Sequence, residues 1–432
     1  MRKIDSIQFL PTISWAAFYV APLFLLSRQS ADLVSSPQIF GAMVILVALG
    51  VGDTIASWTC MPSVSGTVPR QLVLLLTAIV ALSPVAHIAI AGELPILKII
   101  LGYPATATLL AREHFNKEIP TLLAHLFQHV LTVFGPVLFG VLVLERQNLH
   151  AGVVFFWCMT YALASGAKWP ALIFFFTAAL IVISTRGRRW GMVFPLLALV
   201  AGIMFYFAAD RLSSSLTGWA NRGGAIDRIA ELKQYGPVSA GDIHRLNEAQ
   251  GGPSGFGRSA DYLIYRVYMG PVEVASRWYE FFPSVYGSYL GLDGIFGPTT
   301  YGRTPSNIIG SEVYRKRFPD RYLDSASAYA SIDADAHAHW GPAGILFAAI
   351  CLLLIRACSQ LGATTPLGSI SQAAQLAILT TVPFQGSIQA IVVSQGIWAL
   401  LLLQVASVLS AQAAPFAQLP GKFPQAVTPP KS

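Results

Sequence analysis

Apolar residues come in long runs along this chain, separated by short polar breaks. A helix that crosses a bilayer needs about 20 mostly apolar residues, and ten runs approach or reach that length. They lie at about 8–27, 38–57, 69–91, 121–143, 151–165, 169–185, 190–208, 341–357, 370–388 and 391–411. The fifth run is short, and only Ile388 to Ala390 separate the last two. The pattern therefore predicts an all-α polytopic membrane protein with about ten transmembrane helices, within a range of nine to eleven.

One long polar segment, residues 209–340, interrupts this pattern. It holds eleven arginines and eleven of the fifteen tyrosines. Arginine forks suit phosphate oxygens, and tyrosine offers an apolar face with a hydroxyl left over for hydrogen bonds. The segment divides an N-terminal bundle of about seven spans (1–208) from about three C-terminal spans (341–411), and a Pro- and Ala-rich tail (412–432) is predicted to be disordered.

Arginine and lysine in the short loops predict the orientation, because they concentrate on the cytoplasmic side. With ten spans, one side of the membrane collects Arg2, Lys3, Arg70, Arg146, the cluster 186–189 and Arg356. That assignment places both termini inside and the segment 209–340 outside, in the periplasm. A second outer segment, about 92–120, is apolar but broken by prolines, and we expect it to be interfacial or re-entrant.

Composition agrees with a membrane protein: the chain is 54% hydrophobic and 11% charged, with a mean hydropathy of +0.58. The net charge of +7 comes largely from helix ends, so it does not indicate a nucleic-acid partner. The four cysteines lie in or beside apolar runs, which argues against a disulfide framework and against a cysteine metal site. We expect no metal and no cofactor.

Arginines spaced along the long segment are the first candidates for ligand binding. Arg266 and Arg277 are eleven residues apart, about three helical turns, and together with Arg258 they could grip a diphosphate. The alternative is ion pairing with neighbouring acids such as Glu280 at a solvated surface. Lys168, in a tight outer turn, either contributes to such an anion site or extends to lipid headgroups.

A second cluster lies where the long segment returns to the membrane: Asp333, Asp335, His337 and His339, followed by Trp340 and Gly341. The alternate spacing predicts a strand on which all four side chains share one face, ahead of a helix that begins at Gly341. Three interpretations stay open: acid–base chemistry, a polar cap on the following helix, and a metal site. For acid–base chemistry, His337 or Asp335 is the favoured base.

From 261 to 347 the chain resembles the bacterial oligosaccharide repeat-unit polymerases, the O-antigen and exopolysaccharide polymerases of Wzy type. The resemblance rests on architecture along the whole chain and on four short matches. These are Tyr265-Arg266-Val267, Phe281-Phe282-Pro283, Pro305-Ser306-Asn307 and the stretch from Ala336 to Leu346.

The resemblance implies a GT-C-like inverting glycosyltransferase without a metal. A sugar chain on undecaprenyl diphosphate would pass to a hydroxyl of an incoming lipid-linked repeat unit, at the periplasmic face of the inner membrane. Arg258, Arg266 and Arg277 match the functional arginines of the family's later outer loop, while Lys168 stands where the earlier loop commonly has arginine. Tyr265 and Arg303 complete the expected diphosphate- and sugar-binding set.

The partners expected from this resemblance are the lipid-linked oligosaccharide, membrane lipids and a chain-length regulator. Three alternatives remain: a lipid-linked sugar flippase, an O-antigen ligase and a non-enzymatic subunit of a polysaccharide-export complex. A flippase needs polar groups along its spans, whereas the charges of this sequence gather outside them, which favours an enzyme. The His-Asn/Ser pair of the ligases is out of register here, which disfavours a ligase.

Overall fold

The structure is a computed structural model that describes residues 7–29, 34–58, 68–92, 94–100, 115, 121–165, 168–186, 268, 270–284, 289–291, 331–360, 365–384 and 390–417. All regular secondary structure in these ranges is helical, with no strand. We number eleven helices in chain order. They are α1 (10–29), α2 (Ser36–Trp58), α3 (Arg70–Ala91), α4 (Pro95–Ile100), α5 (121–144), α6 (Asn148–Ser165), α7 (Lys168–Arg186), α8 (Gly270–Phe281), α9 (Ile332–Cys358), α10 (Pro366–Thr380) and α11 (Ile397–Ala417).

Five of the described helices are long and apolar enough to cross a membrane: Leu10–Arg28, Ser36–Ser57, Arg70–Ala91, Leu123–Leu144 and Ile332–Cys358. Two shorter apolar helices cover Pro170–Thr185 and Ile397–Leu409. An all-α protein embedded in a membrane is therefore the class that the fold supports. Eight of the ten predicted spans overlap described helices over most of their length, and 370–388 does so only up to Thr380. The predicted span 190–208 lies outside the described residues, so the count of ten stays a prediction.

The C-terminal helices differ in extent from the sequence prediction. Helix α10 begins at Pro366, where Thr365 caps it by accepting a hydrogen bond from the Gly368 N–H at 3.1 Å, and it ends at Thr380. A π-helical turn, Ala390–Ser394, then precedes α11. The predicted span 370–388 is thus a shorter helix that starts earlier, because threonine and proline together form a strong helix start.

Helices α2 and α9 form the most extensive helix pair in the described structure, and α8 packs across both of them. The side chain of Gln38 holds α8 in place. Its amide donates to the Val272 carbonyl at 3.3 Å and accepts from the Ser276 hydroxyl at 3.0 Å. The buried face of α8 carries Trp278 and Tyr279, while Arg277 faces outward. An amphipathic helix therefore covers one end of the α2–α9 pair.

At the other end of this pair, Asp53 of α2 and Arg356 of α9 form an ion pair with both side chains fully buried. Arg356 Nε donates to Asp53 Oδ1 at 2.6 Å. Thr12 donates to Asp53 Oδ2 through its hydroxyl (2.6 Å) and its backbone N–H (3.3 Å). Arg356 also donates to the Ser359 hydroxyl and to the Gln8 carbonyl. The prediction that Arg356 is a loop charge is wrong, because a carboxylate inside the bundle neutralises it.

Removing one member of this pair should destabilise the protein strongly. Asp53→Ala leaves the Arg356 guanidinium buried without a counter-charge, and we expect a loss of about 3–5 kcal/mol in the free energy of unfolding. Replacing both residues at once, Asp53→Leu with Arg356→Met, should recover most of that loss. The measurement is unfolding of the purified protein in detergent, with the exposed Arg28→Ala as the control. Wild-type stability in Asp53→Ala would contradict the conclusion that Asp53 neutralises a buried Arg356.

Candidate functional site

The four acidic and histidine residues predicted as catalytic lie on a helix, so the predicted strand is wrong. Helix α9 begins at Ile332, nine residues before its predicted start at Gly341. Alternate alanines favour a helix, and Asp333 and Asp335 in the first turn complement its dipole. Neighbours on a helix are three or four residues apart. Asp333 and His337 therefore share one side of α9, and Asp335 and His339 share another.

The Asp333 carboxylate is a fully buried hub that joins four parts of the chain. Its Oδ2 accepts hydrogen bonds from the hydroxyls of Tyr19 and Tyr279, each at 3.0 Å. Its Oδ1 accepts from the Ser331 hydroxyl at 2.5 Å. Gly41 of α2 lies against the same group, since a methyl group there would come within about 3 Å of the carboxylate. Three hydroxyl donors occupy Asp333, so its role in this arrangement is to position α9.

Tyr279 connects this hub to α8. Burial, and then the negative charge of Asp333, raise the pKa of Tyr279 well above its ordinary value. The hydroxyl therefore stays protonated and remains a donor to the carboxylate. The ring of Tyr279 also lies 4.5 Å from the ring of His337, measured between centroids. One residue of the covering helix thus fixes both an acid and a histidine of the site.

Asp335 and His339 form the pair that is best placed for proton transfer. Asp335 Oδ2 lies 3.8 Å from His339 Nε2, and their side chains are 13% and 8% exposed, so each keeps only a small accessible surface. His339 Nδ1 lies 3.2 Å from the Gly291 carbonyl oxygen. A carbonyl oxygen only accepts, so Nδ1 carries the hydrogen and Nε2 presents its lone pair beside the carboxylate. This geometry suits a base whose protonated form is stabilised by a neighbouring acid.

His337 is buried between aromatic rings and keeps one nitrogen unused. Its ring meets Tyr279 on one side and Tyr289 edge-on at 5.4 Å on the other. Its Nδ1 is buried and has no hydrogen-bond partner among the described residues. A buried polar atom without a partner is unfavourable by about 1–3 kcal/mol. His337 therefore offers an acceptor or donor that a bound hydroxyl could satisfy.

A bend in α9 immediately after His339 completes the site. Trp340 (φ −141°, ψ 21°) and Gly341 (φ 61°, ψ −143°) leave helical geometry, and Pro342 follows. Gly341 has a positive φ that favours glycine, and a side chain there would collide with the Tyr289 ring. The Leu290 N–H donates to the Ala338 carbonyl at 2.9 Å. The short segment 289–291 is thus fixed against the bend, which places the Gly291 carbonyl at His339.

Most of the residues predicted to bind the diphosphate and the sugar lie outside the described part of the chain. Arg258, Tyr265, Arg266 and Arg303 lie outside the described residues, and Lys168 is the first residue of α7. Arg277 lies on the exposed face of α8, where its guanidinium donates to Glu280 at 2.7 Å. This is the surface ion pair that the sequence offered as the alternative. Because both groups are about half exposed, the pair does not prevent Arg277 from meeting a ligand.

Several residues of the site give no signal in the sequence. Tyr19 lies in the first apolar run, and Gly291 contributes only its carbonyl, so neither stands out as a partner of the acidic and histidine cluster. Tyr279 sits on the apolar side of an amphipathic helix, where an aromatic residue indicates packing. In the described part of the chain, no group of three or more His, Cys, Asp or Glu residues could hold a metal ion. Comparisons with protein-family models, curated proteins and solved structures find no match to this chain.

Proposed function

We propose that this protein is a glycosyltransferase that polymerises undecaprenyl-diphosphate-linked oligosaccharide repeat units at the periplasmic face of the inner membrane. The observation that carries the proposal is the Asp335–His339 pair, oriented by a backbone carbonyl at the bend of an apolar helix. A base at the outer end of a membrane helix suits a reaction between two lipid-linked substrates at the membrane surface. The proposal includes ten spans, cytoplasmic termini and a periplasmic segment 209–340.

In the proposed reaction, a sugar hydroxyl of the acceptor gives its proton to His339 Nε2 while its oxygen attacks the anomeric carbon of the donor. The bond from that carbon to the diphosphate oxygen breaks, and the diphosphate leaves with the electron pair. The configuration at the anomeric carbon inverts. Asp335 stabilises the imidazolium that forms, and the Gly291 carbonyl holds the ring in the productive tautomer. Arg277, with Arg258 and Arg266 of the same outer segment, stabilises the charge on the leaving group.

A specific observation favours a transporter as the second candidate. The sequence places few charges in the spans, yet Asp53 and Arg356 meet inside the bundle, and charged groups at such positions are often functional. A lipid-linked sugar flippase would use such features.

Purified wild-type protein in liposomes with lipid-linked repeat units should separate these candidates. A polymerase yields a ladder of products that differ by one repeat unit, detected after electrophoresis. A flippase instead moves the substrate between leaflets, detected by the fraction accessible to an added glycosidase. The polymerase proposal predicts the ladder, and translocation without a ladder would overturn it in favour of the transporter.

The base should be sensitive to conservative substitutions. Asp335→Asn and His339→Gln keep the size and remove the charge or the imidazole, and each should reduce the rate of chain growth by roughly 10²–10⁴-fold. Leu149→Ala, which changes an exposed apolar residue on α6, is the control. Both variants must retain wild-type unfolding behaviour for the comparison to hold. Wild-type rates in folded Asp335→Asn and His339→Gln would exclude the pair as the base.

The proposed role of Arg277 in stabilising the leaving diphosphate can be tested directly, because α8 also carries a matched control residue. Arg277→Ala removes a guanidinium from the leaving group, and chain growth should fall by roughly 10²–10³-fold. Arg277→Lys should rescue poorly, because lysine keeps the charge but lacks the planar fork. Glu280→Ala breaks the same ion pair and keeps the arginine, so it should remain active. Near-normal rates of chain growth in all three variants would show that Arg277 forms a surface ion pair and has no role in the reaction.

A further inference from the structure

The buried ion pair is one end of a longer hydrogen-bonded network inside the bundle. Ser359, which follows α9, accepts from Arg356 at its hydroxyl and from the Gln404 amide at its carbonyl, at 2.8 and 2.9 Å. The Gln404 oxygen accepts from the Gln375 amide at 3.2 Å. We call the chain Thr12–Asp53–Arg356–Ser359–Gln404–Gln375 the buried polar network. It connects α1, α2, α9, α10 and α11.

The direction of each amide in this network is fixed by its neighbours. Gln404 Nε2 faces the carbonyl oxygens of Ser359 and Gly368, and carbonyl oxygens accept only. The Gln404 oxygen must therefore face Gln375, and Gln375 must present its NH₂ group in return. The Gln375 oxygen consequently points away from Gln404. It is fully buried and has no hydrogen-bond partner among the described residues.

Ser371 leaves a second buried group without a partner, one helical turn earlier on the same face of α10. Its side chain is fully buried, and its hydroxyl has no partner among the described residues. Hydroxyls inside helices usually bond to a carbonyl in the preceding turn, as Ser369 and Thr380 of the same helix do. Ser371 makes no such bond among the described residues. One face of α10 therefore carries a buried hydroxyl and, one turn on, a buried amide oxygen, and we call these two groups the α10 polar site.

We propose that this site binds an ordered water molecule that bridges the Ser371 hydroxyl and the Gln375 oxygen. The ligand must donate to an amide oxygen and also pair with a hydroxyl, and water does both. A buried water needs two to four polar partners, which these groups begin to supply. A cation is disfavoured because the network is already neutral, with the Asp53 carboxylate balanced by the Arg356 guanidinium. The proposal does not depend on the catalytic assignment above.

A water bound at Ser371 and Gln375 would lower the energetic cost of burying these two polar groups inside the bundle. Without water, both groups would lose their hydrogen bonds on insertion and would be unfavourable in an apolar environment. With water, the Ser371 hydroxyl and the Gln375 oxygen each gain a hydrogen-bond partner. The Gln8 side-chain oxygen, another buried acceptor without a partner in the described residues, lies on the residue whose carbonyl meets Arg356. Water is therefore expected at both ends of the network.

Whether Ser371→Ala lowers or raises the apparent melting temperature (Tm) tests the proposal. Ser371→Ala removes the hydroxyl: if water bridges it, a hydrogen bond is lost and the apparent Tm should fall by roughly 2 °C. If the site is dry, the same change removes an unsatisfied polar group and the apparent Tm should rise. Ser369→Ala on the same helix removes a hydroxyl bonded to the Pro366 carbonyl and calibrates the loss. Differential scanning of the full-length protein in detergent gives the values.

The two variants share the gain in helix propensity from serine to alanine, so their comparison isolates the hydrogen bond. Alanine is the strongest helix former, which keeps both variants folded. A fall in apparent Tm for Ser371→Ala comparable to that for Ser369→Ala supports the bound water. An unchanged or raised apparent Tm for Ser371→Ala overturns it.

Discussion

The contact between α2 and α9 is the constraint on which the rest of the described structure depends. One buried carboxylate joins these two helices directly, and a second lies beside their contact at the other end. Asp53 of α2 binds Arg356 near the end of α9, while Asp333 at the start of α9 accepts hydroxyls from α1 and α8 beside Gly41 of α2. In an apolar environment a buried carboxylate must find its hydrogen-bond donors on the protein. Each carboxylate therefore determines which helices must lie beside it. Asp53 thereby ties α2 to α9 at one end, and Asp333 ties α9 to α1 and α8 at the other.

The bend of α9 lies at its own Trp340-Gly341-Pro342 sequence, between the two attached ends of the helix. Trp340 and Gly341 interrupt the helix between the two attachment points, and the segment 289–291 packs against the bend. The Gly291 carbonyl then orients His339, whose other nitrogen faces Asp335. The Asp333 hub and the Asp335–His339 pair thus lie side by side at the start of α9. Three hydroxyl donors occupy Asp333, whereas His339 Nε2 has no hydrogen bond among the described residues. This difference is the reason for proposing different roles for them.

The sequence predicted the class of fold because bilayer length and apolar composition are local properties. It also located the acidic and histidine cluster and its neighbourhood. It misjudged the geometry of that cluster: alternate polar residues suit a strand, but the intervening alanines and the two early acids suit a helix better. It treated Arg356 as a loop charge, because its partner Asp53 lies about 300 residues away. Pairings such as Tyr19 with Asp333 are likewise long-range and leave no local pattern.

The two candidate functions rest on side chains that differ in how far their hydrogen-bonding groups are already occupied. Asp53 accepts from Arg356 and twice from Thr12, and Arg356 donates to three partners, so this pair would have to break its own contacts before it could bind a transported group. Among the described residues, neither His339 Nε2 nor His337 Nδ1 has a hydrogen bond that it would have to give up to meet a hydroxyl. A site that is already arranged for its ligand reacts without prior rearrangement. That difference favours an enzyme at the bend of α9 over a carrier that works through the centre of the bundle.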